Sequence, residues 1–234
     1  CLKSIKRYMP DVPTAFAGAS RLGLETHFVK RKDLDVGARL AKLHVYDATP
    51  QNWEYVLYLD ADTELQAPVN FIFSLLDTGY EAVICKDMNK YAIAQRMLRP
   101  DNEAEYKETL KLIGHEELMQ YNGGVFAFRR CPRVRNFFRL WLKEWDKYGA
   151  RDQGALLRAL YQQPLRLYVL PNLWNASDRY PTPPGDVAIV HHNMQARRWA
   201  GLIDGRLDSR NAWDAVGRWK KKHGNQLPRD VTNL

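Results

Sequence analysis

The stretch Tyr55-Val-Leu-Tyr-Leu-Asp-Ala-Asp-Thr63 constrains the fold more than any other, because an apolar run ends there abruptly in two carboxylates one residue apart. Apolar residues that run on without alternating, as Val56, Leu57, Tyr58 and Leu59 do, are expected in a strand covered on both faces, in the middle of a largely parallel sheet. Asp60 and Asp62 then stand at the carboxyl end of that strand, the edge where open α/β sheets bind ligands. Two acids at such an edge admit two readings. They suit an ordinary strand-to-loop turn, and they also offer hard oxygen ligands to Mg2+ or Mn2+, which would keep positions open for water and phosphate oxygens.

The rest of the chain bounds these readings. With 234 residues, 45% of them hydrophobic, the chain is long enough for one substantial core, so residues 1 to 234 are expected to form one domain. The three cysteines, Cys1, Cys85 and Cys131, are odd in number and lack C-x-x-C spacing, which argues against a disulfide framework or zinc site and for a reducing, cytoplasmic setting. No apolar run approaches the roughly twenty residues that span a bilayer. A net charge of +8 suits an anionic partner such as a nucleotide, a nucleic acid or an acidic membrane surface, and equally suits plain solvated basic faces.

Residues 1 to 9 read as a helix with Leu2, Ile5 and Met9 on one face, stopped by Pro10. A chain that opens inside a helix is expected to lack the strand that precedes such a helix in an α/β sheet. Residues 14 to 17 and 26 to 29 read as short strands. Residues 37 to 47 read as a helix from which Lys42 projects away from Leu40 and Leu43. After Thr63, a helix over 71 to 76 and a strand over 82 to 85 continue an alternation that points to βαβ units. Residues 87 to 118 form a long polar excursion with a helical centre from Glu103 to Ile113, either a substrate-contacting segment or a solvated surface helix.

In Tyr121-Asn-Gly-Gly-Val-Phe-Ala-Phe128 the two glycines lead into an alternating apolar strand, which allows a tight bend or close approach of the backbone to a ligand. From Pro132 to Tyr148, Phe137 or Phe138, Trp141, Trp145 and Tyr148 recur at helical spacing and read as core. Asp152 caps or opens a helix running to Tyr161. Strands are expected over 167 to 170 and 187 to 190, the second ending in His191-His-Asn193. The tail from about 205 to 234 includes a basic amphipathic helix over 212 to 223, with Trp213, Val216 and Trp219 in a row. It would pack on the body or touch an anionic partner.

Six segments now stand in a telling order: Ala-Lys42-Leu, Leu-Tyr-Leu-Asp-Ala-Asp62, Tyr121-Asn-Gly-Gly-Val, Arg151-Asp-Gln-Gly, Leu170-Pro-x-x-Trp-Asn, and a final His segment. The series covers nearly the whole chain and resembles the GT-A nucleotide-sugar glycosyltransferases, most closely the retaining family-eight type that includes glycogenin and bacterial galactosyltransferases. In that family a His-Phe-x-Gly-x-x-Lys-Pro-Trp stretch supplies a metal ligand and a lysine to the diphosphate. Here His191, Arg197 and Trp199 fall on its His, Lys and Trp, while Met194 and Arg198 depart from its Gly and Pro.

The resemblance implies an α/β GT-A fold, Rossmann-like with a mostly parallel central sheet. It also implies a glycosyltransferase that takes a nucleotide-sugar donor, UDP-linked by preference, and transfers the sugar with retention. Asp60, Asp62 and His191 would bind Mn2+ or Mg2+, and Lys42 and Arg197 would face the diphosphate, with Ala61 between the two acids also on the donor. Asn122, Gly123 and Gly124 would line the sugar and acceptor side, and Asp152 and Gln153 would hold sugar hydroxyls near the anomeric carbon. The acceptor stays open among glycan, protein, small molecule and hydroxymethylated phage DNA. A sugar-nucleotide pyrophosphorylase and a non-catalytic nucleic-acid or membrane-surface binder are the competing classes.

Overall fold

The structure is a computed structural model and describes residues 1–18, 20–30, 38–87, 103–115, 119–149, 152–177, 185–192 and 210–224. Its strands are β1 (Ala15–Gly18), β2 (His27–Lys30), β3 (Tyr55–Leu59), β4 (Thr63–Leu65), β5 (Ala82–Lys86), β6 (Tyr121–Arg129), β7 (Leu167–Leu170), β8 (Ala176–Ser177) and β9 (Ile189–His191). They form a parallel pair β1-β2, a four-stranded sheet in the order β3-β6-β5-β7, and a small sheet in the order β4-β9-β8. Main helices cover Phe71–Asp77, Glu103–Ile113, Pro132–Asp146, Asp152–Gln162 and Arg210–His223.

The central sheet is sandwiched because its middle strands feed alternate residues to opposite faces. Ala82, Ile84, Phe126 and Phe128 join a core with Phe137, Phe138, Trp141 and Leu156 from the helices Pro132–Asp146 and Asp152–Gln162. Val83, Cys85, Val125 and Ala127 join a second core with Ile72, Leu75 and Leu76 from the opposite face. This two-faced burial makes β6 apolar at successive positions instead of the half-buried alternation its sequence suggests. Phe138 packs edge-on to Phe128 with ring centroids 4.9 Å apart, so the aromatic stripe of that helix is core, as its spacing predicts.

One expectation needs correcting. β3 is not central: among the described residues it pairs only with β6, and Val56 alone of its five residues is buried. The four-stranded sheet is mostly of one direction, as expected, with one reversal. β3, β5 and β7 run one way, but β6 lies between β3 and β5 and is antiparallel to both. Apolar patterning marks a strand and its faces and carries no information about direction. The reversal matters because it brings the amino-terminal end of β6 to the same edge as the carboxyl ends of β3 and β5.

Smaller differences follow. The helix expected over 37 to 47 breaks at His44 into Ala38–Leu43 and Val45–Ala48. In the first helix, Leu2–Tyr8, the buried residue is Ser4, whose hydroxyl donates to the Cys1 carbonyl at 2.7 Å and accepts the Leu65 amide at 3.0 Å. The strand expected from 187 begins at Ile189. The helix Arg210–His223 is present, with Lys220, Lys221 and Lys222 exposed and Trp219 stacked on His223 at 4.2 Å. The side chains of Trp213 and Val216 lie outside the described residues. All three cysteines are free, and no described helix is long and apolar enough to cross a membrane.

Candidate metal centre

The turn after β3 is closed by backbone and hydroxyl, without either carboxylate. Thr63 donates to the Asp60 carbonyl through its amide at 3.0 Å and through its hydroxyl at 2.7 Å. Neither of these bonds uses the Asp60 or Asp62 carboxylate, so both side chains can face the strand that packs beside the turn. β9 docks beside them: His191 pairs with Thr63 in the antiparallel ladder, and the His192 amide donates to the Asp62 carbonyl at 2.8 Å. One ligand atom each from Asp60, Asp62 and His191 can be chosen so that all lie within 4.8 Å of one another.

The two oxygens of Asp60 are divided between neighbours. Oδ1 accepts the Tyr58 hydroxyl at 2.7 Å and lies 3.4 Å from Lys42 Nζ, while Oδ2 faces His191 Nε2 at 3.8 Å. Tyr58 stands two residues before Asp60, on the same side of the strand, and that period-two relation was the signal available in the sequence for its role. Burial and the Asp60 charge hold the Tyr58 hydroxyl well above its ordinary pKa, so it remains a donor. His191 Nε2 lies 3.1 Å from Asp62 Oδ1. Burial would lower the histidine pKa, but the hydrogen bond and charge of Asp62, with Asp60, outweigh it and raise it. Burial likewise works to raise Asp62, and His191 brings it below the ordinary carboxylate value.

Lys42 is buried: it is 5% exposed, and Nζ donates to Asp152 Oδ2 at 2.8 Å. Burial pulls its pKa down, and Asp152 and Asp60 together hold it well above the ordinary lysine value. A charged lysine thus ties the end of β3 to the start of the helix Asp152–Gln162. Asp152 is a first-turn acid, and its backbone carbonyl accepts the Trp141 indole N–H at 3.1 Å.

The glycines of β6 do not precede the strand but lie inside it, where the pairing with β5 jumps from Ile84↔Phe126 to Cys85↔Asn122. Their need for glycine differs. A Cβ on Gly123 would meet Lys42 Cδ and Trp141 at 3.5 Å, an ordinary contact. On Gly124 it would stand 2.7 Å from both Asp60 Oδ2 and His191 Cε1, so this backbone forms the floor of the carboxylate and imidazole cluster. The Gly124 amide donates to Asn122 Oδ1 at 2.9 Å, and its carbonyl accepts the Asp60 amide at 2.8 Å.

The sequence reading passed over Asp87. This residue, just past β5, is 4% exposed and accepts from Gln153 Nε2 at 2.8 Å and from Asn122 Nδ2 at 3.3 Å. It brings together two side chains that the motif order had assigned separately. Ala61 is exposed in the turn. Arg197, Met194, Arg198 and Trp199 lie outside the described residues, as does Arg151. Among the described residues Asp60 and Asp152 flank Lys42, while Asp60 and Asp62 face His191 Nε2. Two carboxylates with an imidazole suit Mn2+ or Mg2+.

By fold, the chain is similar to the galactosyltransferase LgtC in complex with donor and acceptor sugar analogues. The TM-score is 0.51 at 14% identity, covering 94% of this chain and 93% of that one. An active-site mutant of LgtC gives 0.50 at 14% identity over 99% and 91%. The apo bifunctional glycosyltransferase WbbM gives 0.50 at 15% identity over 86% of this chain and 42% of that one. Mouse xyloside xylosyltransferase 1, apo, gives 0.44 at 17% identity over 66% and 62%, so the chain spans under two thirds of the length of these last two proteins. No family model matches the chain, and no curated protein matches it by sequence. The fold is the GT-A fold, as the order of motifs implies.

Proposed function

We propose that the protein is a metal-dependent glycosyltransferase that moves a sugar from a nucleoside diphosphate, UDP by preference, to an acceptor hydroxyl with retention. The observation that carries this reading is the convergence of Asp60 and Asp62 from the β3–β4 turn and His191 from the end of β9 onto one small volume floored by Gly124. Asp60 Oδ2, Asp62 Oδ1 and His191 Nε2 are the atoms that would hold Mn2+ or Mg2+. Such a cation, when bound, stabilises the charge that develops on a departing diphosphate.

The surrounding residues divide the remaining work. Lys42 holds Asp60 and Asp152 in register, so the metal side and the sugar side of the cleft share one cation. Arg197 would add a forked contact to phosphate oxygens. Asp152 and Gln153 would hold sugar hydroxyls near the anomeric carbon, with Asn122, Gly123, Gly124 and Ala61 lining the donor. Asp87 orients the amides of Asn122 and Gln153 so that their carbonyl oxygens point away from it. Fixed groups that favour the charge of the transition state over the ground state are the source of rate. The acceptor is a glycan, a protein, a small molecule or a modified DNA base.

Release of nucleoside diphosphate from a panel of nucleotide sugars, with Mn2+, with EDTA and in an Asp62→Asn variant, tests the proposal. Metal-dependent release from one donor, lost in the variant, supports it. Release that is indifferent to EDTA, or none from any donor with no nucleotide bound, would overturn it.

A further inference from the structure

The segment Leu170-Pro-Asn-Leu-Trp-Asn175 entered the sequence argument as a motif without a role, and the metal reading above leaves it unused. In the structure it is a device for placing one side chain. Residues Asn172–Trp174 form a short 3-10 turn closed by the Trp174 amide on the Pro171 carbonyl at 3.1 Å and the Asn175 amide on the Asn172 carbonyl at 3.1 Å. The turn delivers the chain into β8, which runs parallel to β9 with Ala176 opposite Val190 and Ser177 opposite His191. Asn175, fully buried, comes to rest against the imidazole, with Oδ1 2.9 Å from His191 Nδ1.

We propose that Asn175 is a positioning residue whose side-chain oxygen accepts the Nδ1 proton of His191, so that the ring offers Nε2, and only Nε2, to a cation between Asp60 and Asp62. The inference rests on the metal reading of the preceding section. Three observations carry it. Nε2 is the nitrogen that faces both carboxylates, at 3.1 and 3.8 Å. Nδ1 faces an amide that can serve it as an acceptor. Asn175 Nδ2, in contrast, is buried with no partner among the described residues, an expense that native interiors rarely accept. A side chain kept at the cost of an unpaired donor is kept for its oxygen. Metal-bound histidines ordinarily donate their second N–H to such an acceptor, which fixes ring orientation and raises ligand basicity.

The test compares wild type, Asn175→Asp, which keeps the acceptor, and Asn175→Leu, which removes it, with Asn175→Ala in reserve should the leucine variant not fold. Mn2+ affinity is read by electron paramagnetic resonance titration. In samples loaded with diamagnetic Cd2+, nitrogen NMR on labelled histidine reads which ring nitrogen holds the metal. Expected is a loss of about tenfold to a hundredfold in Mn2+ affinity for Asn175→Leu or Asn175→Ala, with near-wild-type affinity for Asn175→Asp. Wild type should hold the metal on Nε2 and the proton on Nδ1. Unchanged affinity in the leucine and alanine variants, or a wild-type ring bound through Nδ1, overturns this inference and leaves the metal site standing. Absence of Mn2+ binding by wild type overturns both.

Discussion

Arg158 and Lys42 are both buried cations held by two carboxylates each, yet only one of their clusters is closed. Arg158 lies in the helix Asp152–Gln162 with no exposed side-chain surface, and its partners Glu105 and Glu144 are 1% and 2% exposed. Every arm of the guanidinium is engaged: Nε to Glu144 at 2.9 Å, one terminal nitrogen to Glu105 at 2.8 Å and Thr109 at 3.1 Å, the other to the Glu144 carbonyl at 3.0 Å. Lys147 adds a second cation, 3.0 Å from Glu144. Around Lys42, Asp60 and Asp62 keep 25% and 27% of their side-chain surface. The first cluster is enclosed and pins the helix Glu103–Ile113 to the body. The second keeps an opening to solvent, the feature that the proposed metal centre would use.

That contrast can be broken in several ways. Arg158→Leu removes the guanidinium that the buried Glu105 and Glu144 share and should destabilise the fold by about 3–5 kcal/mol in denaturant titrations, with Mn2+ affinity unchanged in whatever remains folded. The reverse pattern is expected at the metal centre. Saturating Mn2+ at a hundred times its Kd should stabilise wild type by about 2.7 kcal/mol and leave Asp62→Asn unmoved, as thermal melts with and without the ion would reveal. A response of the two proteins to Mn2+ that is equal would erase the difference between the clusters.

Gly124→Ala sharpens the comparison further, since its Cβ intrudes on Asp60 and His191 and should cost about 1–3 kcal/mol while weakening Mn2+ binding; Gly123→Ala, meeting only ordinary contacts, should do neither. The smallest effect is in pH. Burial would raise Glu144, but Gln162, Arg158 and Lys147 lower it overall, so its stabilising contribution is full above the ordinary value of 4.5 and is lost as pH falls through the depressed one. His191 is raised, so in the metal-free protein its contribution is full below 6.5 and is lost as pH rises through the raised value. The proton that stabilises His191 also competes with a cation for Nε2. Mn2+ affinity should therefore already be falling as pH drops towards 6.5, and a titration at several pH values would detect it.

Much of the centre was legible because its candidate ligands sit where sequence patterns end. Asp60 and Asp62 close an apolar run and His191 closes another, while the family resemblance supplied the link between the two ends. The helix Pro132–Asp146 was legible for the same kind of reason, as its aromatics recur at helical spacing. The pairing of Lys42 with Asp152 was not legible, because the carboxylate is 110 residues away. Asp87 gave no local signal and Asn175 only a place in a motif without a role, since the partners of each stand on other elements. Arg158 was invisible likewise: only packing of three helices shows that its position is interior. Local periodicity reports which way a side chain faces, but not what waits there.

The floor of the centre has a consequence at the level of the coding sequence. Every single-base missense change in a glycine codon yields a residue with a Cβ, and at Gly124 that atom falls 2.7 Å from two of the three candidate ligands. The codon thus behaves like a fourth ligand in inheritance, although the residue contributes no ligand atom. Its twin at Gly123 has no such burden. Two neighbouring, identical amino acids should leave different records under mutation, one tolerant of alanine and the other intolerant of every substitution.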